Sequence, residues 1–216
     1  ARTEQVGPRT WLRLVSQYGT PAAALEALPG LPTRGRTRPV IPPLDSITRE
    51  IDATMALGGQ FLTLLDADYP PLLRHIPDAP PVLSILGNPA YLRQPCIGIV
   101  GARNASAHGL RLAESLATEL ADSGLTIVSG LARGIDAAAH AGALYRQGLT
   151  IAAIAGGLDC PSPPQNVALQ EHLSRMGAVR TEPPPGTAPQ APPFPRPNTL
   201  ISGLTLCCAL VEAATR

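Results

Sequence analysis

Apolar positions along this 216-residue chain follow two rhythms. Up to about residue 60 they recur at three- and four-residue intervals. From Cys96 onward, short, wholly apolar runs alternate with helical stretches. In the first part, Trp11, Leu12, Leu14, Val15 and Tyr18 stand near helical spacing, and Ala22 to Leu28 is a strong helix former. The break at Gly19-Thr20-Pro21 predicts two short helices within 8–28. A breaker-rich stretch, 29–43, follows; Arg34, Arg36 and Arg38 read there as a solvated loop. Residues 44–58 return to helix, with Asp45 or Ser46 as cap and Ile47, Ile51 and Met55 on one face. Residues 61–88 read as a strand, a turn at Asp68-Tyr69-Pro70, a short helix and an extended X-Pro-Pro segment.

Beyond Cys96 the pattern predicts strands at 97–100, 125–129, 150–155, 178–182 and 206–212. Helices at 107–122, 135–147 and 165–176 separate the first four. Apolar strands with crossover helices indicate a parallel sheet covered on both faces. The expected organisation is a small helical domain over 1–60, a connecting segment over 61–95 and an α/β domain over 96–216. In open sheets of this kind ligands bind at the C-terminal ends of the strands. Those ends carry the unusual loops: GARNAS, SGLARG, GGLD, EPPPG and EAA. The proline-dense stretch 183–198 reads as a wall or lid beside them.

Composition narrows the choice. An apolar content of 44% marks a globular chain. The formal net charge is only +1, so any polyanion site must be a local patch. All 17 basic residues are arginine, so every cationic contact except a protonated histidine is a guanidinium, suited to bidentate contact with phosphate. The four cysteines, at 96, 160, 207 and 208, lack metal-ligand spacing and read as buried thiols of a reducing cytosol. No apolar run reaches membrane-spanning length, so no membrane partner is expected.

Two segments carry the candidate chemistry: CIGIVGARNASAHG at 96–109 and IVSGLARGIDAAAHAG at 127–142. Each reads as a strand, a glycine-containing loop with an arginine, and a helix. Arg103 and Arg133 then stand beside helix-opening N–H groups, where anions are held. Ser106 and Ser129 offer hydroxyls, and Gly130 and Gly134 supply backbone freedom. Asp136 can cap the second helix or pair with Arg133. His140 reads as a structural histidine, and His108 as solvated or touching an anion. Asp159 and Glu182 end strands and could form a hydrolytic carboxylate pair. The dinucleotide fingerprint beginning at Gly101 fails, because its second and third glycines are Arg103 and Ser106 and the second strand ends without a ribose-binding acid. No cofactor, metal or catalytic residue is expected. With aromatics at 3% and none in either loop, a nucleic acid would be gripped by its phosphates.

The segments GPRTWLRLVSQYGTPAAAL, LDADYPPLLRHIPDAPPVLSILGN, IGIVGARNAS, IVSGLARGIDAAAH, AGGLDCPSPPQN, TEPPPGTAP and FPRPNTLISGL, in this order, resemble the DNA-processing protein A (DprA/Smf) family of natural transformation. The likeness runs through nearly the whole chain. It implies a small sterile-alpha-motif-like helical domain followed by an extended Rossmann-like parallel sheet. It further implies a cytoplasmic, non-enzymatic homodimer that binds and protects single-stranded DNA and loads a RecA-type recombinase. Carried over by motif, the DNA-binding residues are Gly101, Arg103, Ser106, Gly130, Arg133, Arg196 and Asn198. Three departures stand out. Pro197 and Thr199 replace arginines usual in the family's F-P-x-R-N-R segment, leaving Arg196 as their substitute. Cys160 stands where a tyrosine is usual. The sequence stops at VEAATR, where relatives continue with a serine-glycine segment and further strands, which implies a shortened form or a part of a longer chain. The alternative from another class is a nucleotide-processing enzyme related to phosphoribohydrolases, whose P-G-G-x-G-T loop is only partly echoed by AGGLDC at 155–160. A third reading is a protein-interaction scaffold whose DNA site has decayed.

Overall fold

Local signals set the N-terminal helices. Helix α1 (Pro8–Tyr18) opens on a proline, which lacks only an N–H that would be unpaired there. It ends at Gly19, whose φ of 82° suits glycine. Thr20 caps α2 (Pro21–Ala27), its hydroxyl accepting from the Ala23 N–H at 3.1 Å. Trp11, Leu14 and Val15 turn inward, whereas Leu12 faces solvent. The computed structural model describes residues 1–32, 38–188 and 197–213, apart from the Pro197 side chain. Arg34, Arg36 and Arg196 lie outside the described residues.

Helix α3 (Leu44–Ala56) departs from its sequence reading in two ways. Neither Asp45 nor Ser46 caps it: Pro43 is the capping residue, and the Ser46 hydroxyl donates to Pro43 O at 2.7 Å. The stripe Ile47, Ile51, Met55 does not form the packed face either. Thr54 is the buried residue, and Met55 is 64% exposed.

Seven strands form one sheet: β1 (Gly59–Thr63), β2 (Val82–Gly87), β3 (Cys96–Gly101), β4 (Thr126–Ser129), β5 (Thr150–Ala153), β6 (Ala178–Thr181) and β7 (Cys207–Val211). Their order is β1-β2-β6-β5-β4-β3-β7. The five strands from β6 to β7 are parallel. Strands β1 and β2 run antiparallel to each other, and β2 is antiparallel to β6. Residues 61–95, expected as a connector, therefore hold most of β1, a four-residue helix α4 (Pro71–Arg74) and β2, and they extend the sheet. The X-Pro-Pro segment hides β2, because prolines at 80 and 81 mask the apolar run that follows.

Helices α5 (Ala107–Asp122), α6 (Ile135–Tyr145) and α7 (Val167–Met176) cross between the parallel strands. The side chains of Ile99 and Ile127 pack with α5 and α6, and those of Ala152 and Val179 pack with Leu173 of α7. The alternate residues Val128, Ile151, Ala153 and Ala178 face the other way. They share a core with Leu200, Ile201 and Leu204 of α8 (Pro197–Leu204), with Tyr69 and Leu73, and with Trp11 and Val15 of α1. The first helix thus packs into the core of the sheet. A second tie is Arg2, which donates to the Glu50 carboxylate of α3 at 2.6 Å and to Glu182 O, just past β6, at 2.8 Å. The chain moves stepwise from β3 to β6 and then returns to the opposite side of β3 as β7. The topological switch point therefore lies between β3 and β7, the crevice where open α/β sheets receive ligands.

Candidate nucleic-acid interface

The two arginine loops meet at the strand ends. Strands β3 and β4 are adjacent and parallel, so the loops that follow them share one rim. Ala102 O accepts from Ile135 N at 3.2 Å, which ties the first loop to the start of α6. Gly134, with φ of 83°, packs its bare α-carbon against Ala102 O and Arg103 O, and a side chain there would collide with them. Arg103 and Arg133 are both exposed. Among the described residues neither joins an ion pair. The pairing of Arg133 with Asp136 expected from sequence does not form.

The backbone donors beside those arginines are already engaged. At the mouth of α5, Ser106 is the N-cap, and its hydroxyl oxygen accepts from Gly109 N at 3.0 Å. The Ser106 N–H lies 3.0 Å from each oxygen of the Glu212 carboxylate, and the Ser106 hydroxyl donates to it at 2.9 Å. Glu212 follows β7 with φ of 54°, a left-handed conformation uncommon for a residue with a side chain. Its backbone oxygen accepts from Ala102 N at 3.0 Å. Glu212 therefore fills the switch-point crevice with a carboxylate where sequence suggested a phosphate, and Ser106 is its partner.

The second loop is filled in the same manner. The Asp136 carboxylate accepts from Ala132 N at 3.3 Å and lies against the bare α-carbon of Gly130. Ser129 is close as well, but its single hydroxyl proton goes to Ile99 O at 2.6 Å. Burial raises the pKa of Asp136, and the Ala132 N–H and the Arg103 charge oppose that rise. Asp136 is not the cap of α6; that position is Gly134. Between them Leu131 holds φ of 61° with its side chain fully buried, and its carbonyl accepts from Asn166 Nδ2 at 2.8 Å. Asn166 and Glu212 are contributions that the sequence reading missed. Asn166 belongs to the quoted AGGLDCPSPPQN segment, whose length beyond β5 was the only available signal.

The remaining candidates fall in distinct places. The bare α-carbon of Gly101 abuts Val211 O and Ile135, and that of Gly130 abuts Asp136 Oδ2. Both glycines thus face protein rather than an open groove. Asn198 is exposed in the first turn of α8, and His108 is exposed on α5. His140 is fully buried, with Nδ1 2.7 Å from Thr150 Oγ1, and burial lowers its pKa to about 3. It is a structural histidine. No hydrogen bond joins Asp159 to Glu182. Asp159 accepts from Gly186 N at 2.8 Å, while Glu182 is raised to about 7 by burial against the pull of Arg180 and Arg2. Among the described residues no cluster of three or more metal-ligating side chains occurs. Cys96 is buried, Cys160 is half-buried, and Cys207 and Cys208 are exposed, so the expectation of buried thiols fails for the last two. Among the described residues no helix is long and apolar enough to cross a membrane.

Comparison with known proteins bears on this arrangement. Residues 60–216 match the family described as DNA recombination-mediator protein A, and residues 1–53 match the DprA-like N-terminal HHH domain. Protein Smf from Synechocystis is 44% identical over 158 residues, covering 71% of this chain and 40% of that protein. DNA processing protein DprA from Streptococcus pneumoniae is 40% identical over 154 residues, covering 71% of this chain and 54% of that protein. The X-ray structure of the pneumococcal protein superposes with a TM-score of 0.74 at 34% identity, over 91% of this chain and 64% of that one. DNA processing protein A from Helicobacter pylori, whose structure addresses its single-stranded DNA binding mode, gives a TM-score of 0.64 at 28% identity, over 73% of this chain and 71% of that one. The chain spans about half the length of the curated relatives it matches.

Proposed function

The chain belongs to the DNA recombination-mediator protein A family, and on that premise we propose that it binds single-stranded DNA, protects it and delivers it to a RecA-type recombinase during natural transformation. One observation carries the binding reading. Two exposed guanidiniums without ion-pair partners among the described residues, Arg103 and Arg133, stand on touching loops at one rim of the sheet. The N–H groups around them are occupied by Glu212 and Asp136. A phosphate arriving there meets charge-bearing side chains and not an empty backbone cradle. Arginine forks that grip phosphates along a strand without reading bases give tight, sequence-indifferent, salt-sensitive binding. Asn198 at the start of α8 and Arg196 are proposed to extend the contact.

The same occupancy weighs against a nucleotide-processing enzyme, since a mononucleotide phosphate would have to displace Glu212. On the family resemblance, the proposed protein acts by binding, without a cofactor, as a homodimer in the cytoplasm. Titration of a fluorescently labelled oligo-dT by anisotropy tests the reading. Wild type binds and loses affinity as salt rises, and the Arg103→Ala, Arg133→Ala double variant binds far more weakly. Equal binding by both proteins overturns the site. Release of free base from nucleoside monophosphates would restore the enzyme reading.

A further inference from the structure

We infer that Asp136 is a positioning residue of the DNA site: its buried carboxylate shapes loop 130–133 so that Arg133 and Arg103 present their guanidiniums together. The inference rests on the binding reading above and adds a role for a residue that touches no DNA in it.

Three features lead to this role. The carboxylate sits beneath the loop, 9% exposed, accepting from Ala132 N on one side of Leu131 and packing against Gly130 on the other. A left-handed leucine is costly and persists only where its surroundings over-determine it. Here Asp136 holds the amide that follows, Asn166 holds the carbonyl, and the buried leucine side chain anchors the centre. Second, Gly130 leaves room for the carboxylate: a β-carbon there would lie 2.6 Å from Asp136 Oδ2. Third, Arg103 of the neighbouring loop acts on the same carboxylate through space without pairing with it. One buried negative charge thus organises the loop that bears Arg133 and attracts the arginine of the other loop.

A bare charge and a positioning charge predict opposite signs. A carboxylate near a polyanion repels it, so neutralising a merely nearby charge strengthens DNA binding. Neutralising a positioning charge weakens binding, because the loop relaxes and Arg133 leaves the rim. Oligo-dT binding by the Asp136→Asn protein is measured by anisotropy across a salt series, with circular dichroism and thermal melts as folding controls. The expected result is a folded protein with affinity about tenfold lower. Its slope of log affinity against log salt is shallower by about 0.7, the value of one lost phosphate contact on single-stranded DNA. Unchanged or stronger binding overturns the inference. So does weaker binding with an unchanged slope, which would mark a purely structural effect. Should Asp136→Asn not fold, Gly130→Ala pushes the carboxylate aside from above. It is expected to lower affinity and slope in the same direction, and the inference fails if neither changes. If wild type itself does not bind oligo-dT, the binding reading fails instead, so the two failures are distinguishable.

Discussion

Glu212 closes on Ser106 across 106 residues of sequence, with both carboxylate oxygens 3.0 Å from the Ser106 amide nitrogen and one of them 2.9 Å from its hydroxyl. This contact joins the end of β7 to the mouth of α5 and brings an anion to the positive end of the helix. Replacing Glu212 by Gln keeps the shape and removes the charge. The expected cost is about 1 kcal/mol, read as a lower urea midpoint at unchanged slope. Because the carboxylate is exposed, the difference from wild type shrinks in about 1 M salt. Identical midpoints at low salt would show that the contact contributes nothing.

Arg103 and Arg133 are expected to contribute separable phosphate contacts. For single-stranded DNA each neutralised phosphate adds about 0.7 to the salt slope. Each single alanine variant should therefore reduce the slope by about 0.7, and the double variant by about 1.4. Thermal stability should stay within about 0.5 kcal/mol of wild type, because neither side chain is paired in the fold. A slope that does not move in the single variants would place the phosphates elsewhere.

Buried His140 and half-buried Glu182 give pH effects of opposite sign. The folded-state pKa of His140 is about 3, below its unfolded value of 6.5. The unfolded chain then binds a proton that the folded one refuses, so this stability is present above 6.5 and is lost as pH falls toward 3. Glu182 is raised from 4.5 to about 7. Its stabilising proton is present below 4.5, and the contribution is lost as pH rises through 7. Between about 4.5 and 6.5 the two slopes, each at most about 1.4 kcal/mol per pH unit, oppose each other. A His140→Gln variant, melted across that range, should lose stability with rising pH more steeply than wild type. A Glu182→Gln variant should lose it with falling pH. Parallel curves for all three proteins would refute the assignment.

Gly134 is where the two loops press together. Alanine there must adopt φ of 83° and place its methyl group against Ala102 O. Strain and overlap together should cost roughly 2–4 kcal/mol, a fall of about 4–16 °C in Tm for a domain of this size. Oligo-dT affinity should drop with it, because Arg103 and Arg133 would no longer share one surface. A Gly134→Ala protein with wild-type Tm and affinity would mean that the contact yields freely.

Much of this fold is written locally. The strand-loop-helix units around Ile97–Val100 and Ile127–Ser129 follow from apolar runs ending in glycine loops, and their adjacency follows from the short crossover through α5. His140 was legible as structural, since a lone histidine in an alanine-rich helix is more often a hydrogen-bonded core residue than a base, although its partner Thr150 on β5 was not. Strand β2 was not legible, because Pro80 and Pro81 mask its start and its partner β6 lies about a hundred residues away. The exposed Met55 and buried Thr54 of α3 were also not legible. Helical period shows which residues share a face, but not which face finds a neighbour.

The sequence by itself determined most elements beyond Cys96, the parallel sense of the central strands, and the placement of Arg103 and Arg133 after adjacent strands. These depend on period, turn chemistry and short connections, all contained within a few tens of residues. Only the tertiary structure decided what fills the space beside the arginines. Glu212 arrives onto Ser106 from the end of the neighbouring edge strand β7, distant in sequence, and Asp136 turns from helix capping to hold the loop before it. Backbone N–H donors accept any anion of suitable reach, and a sequence pattern reveals donors without revealing which carboxylate folding will bring to them.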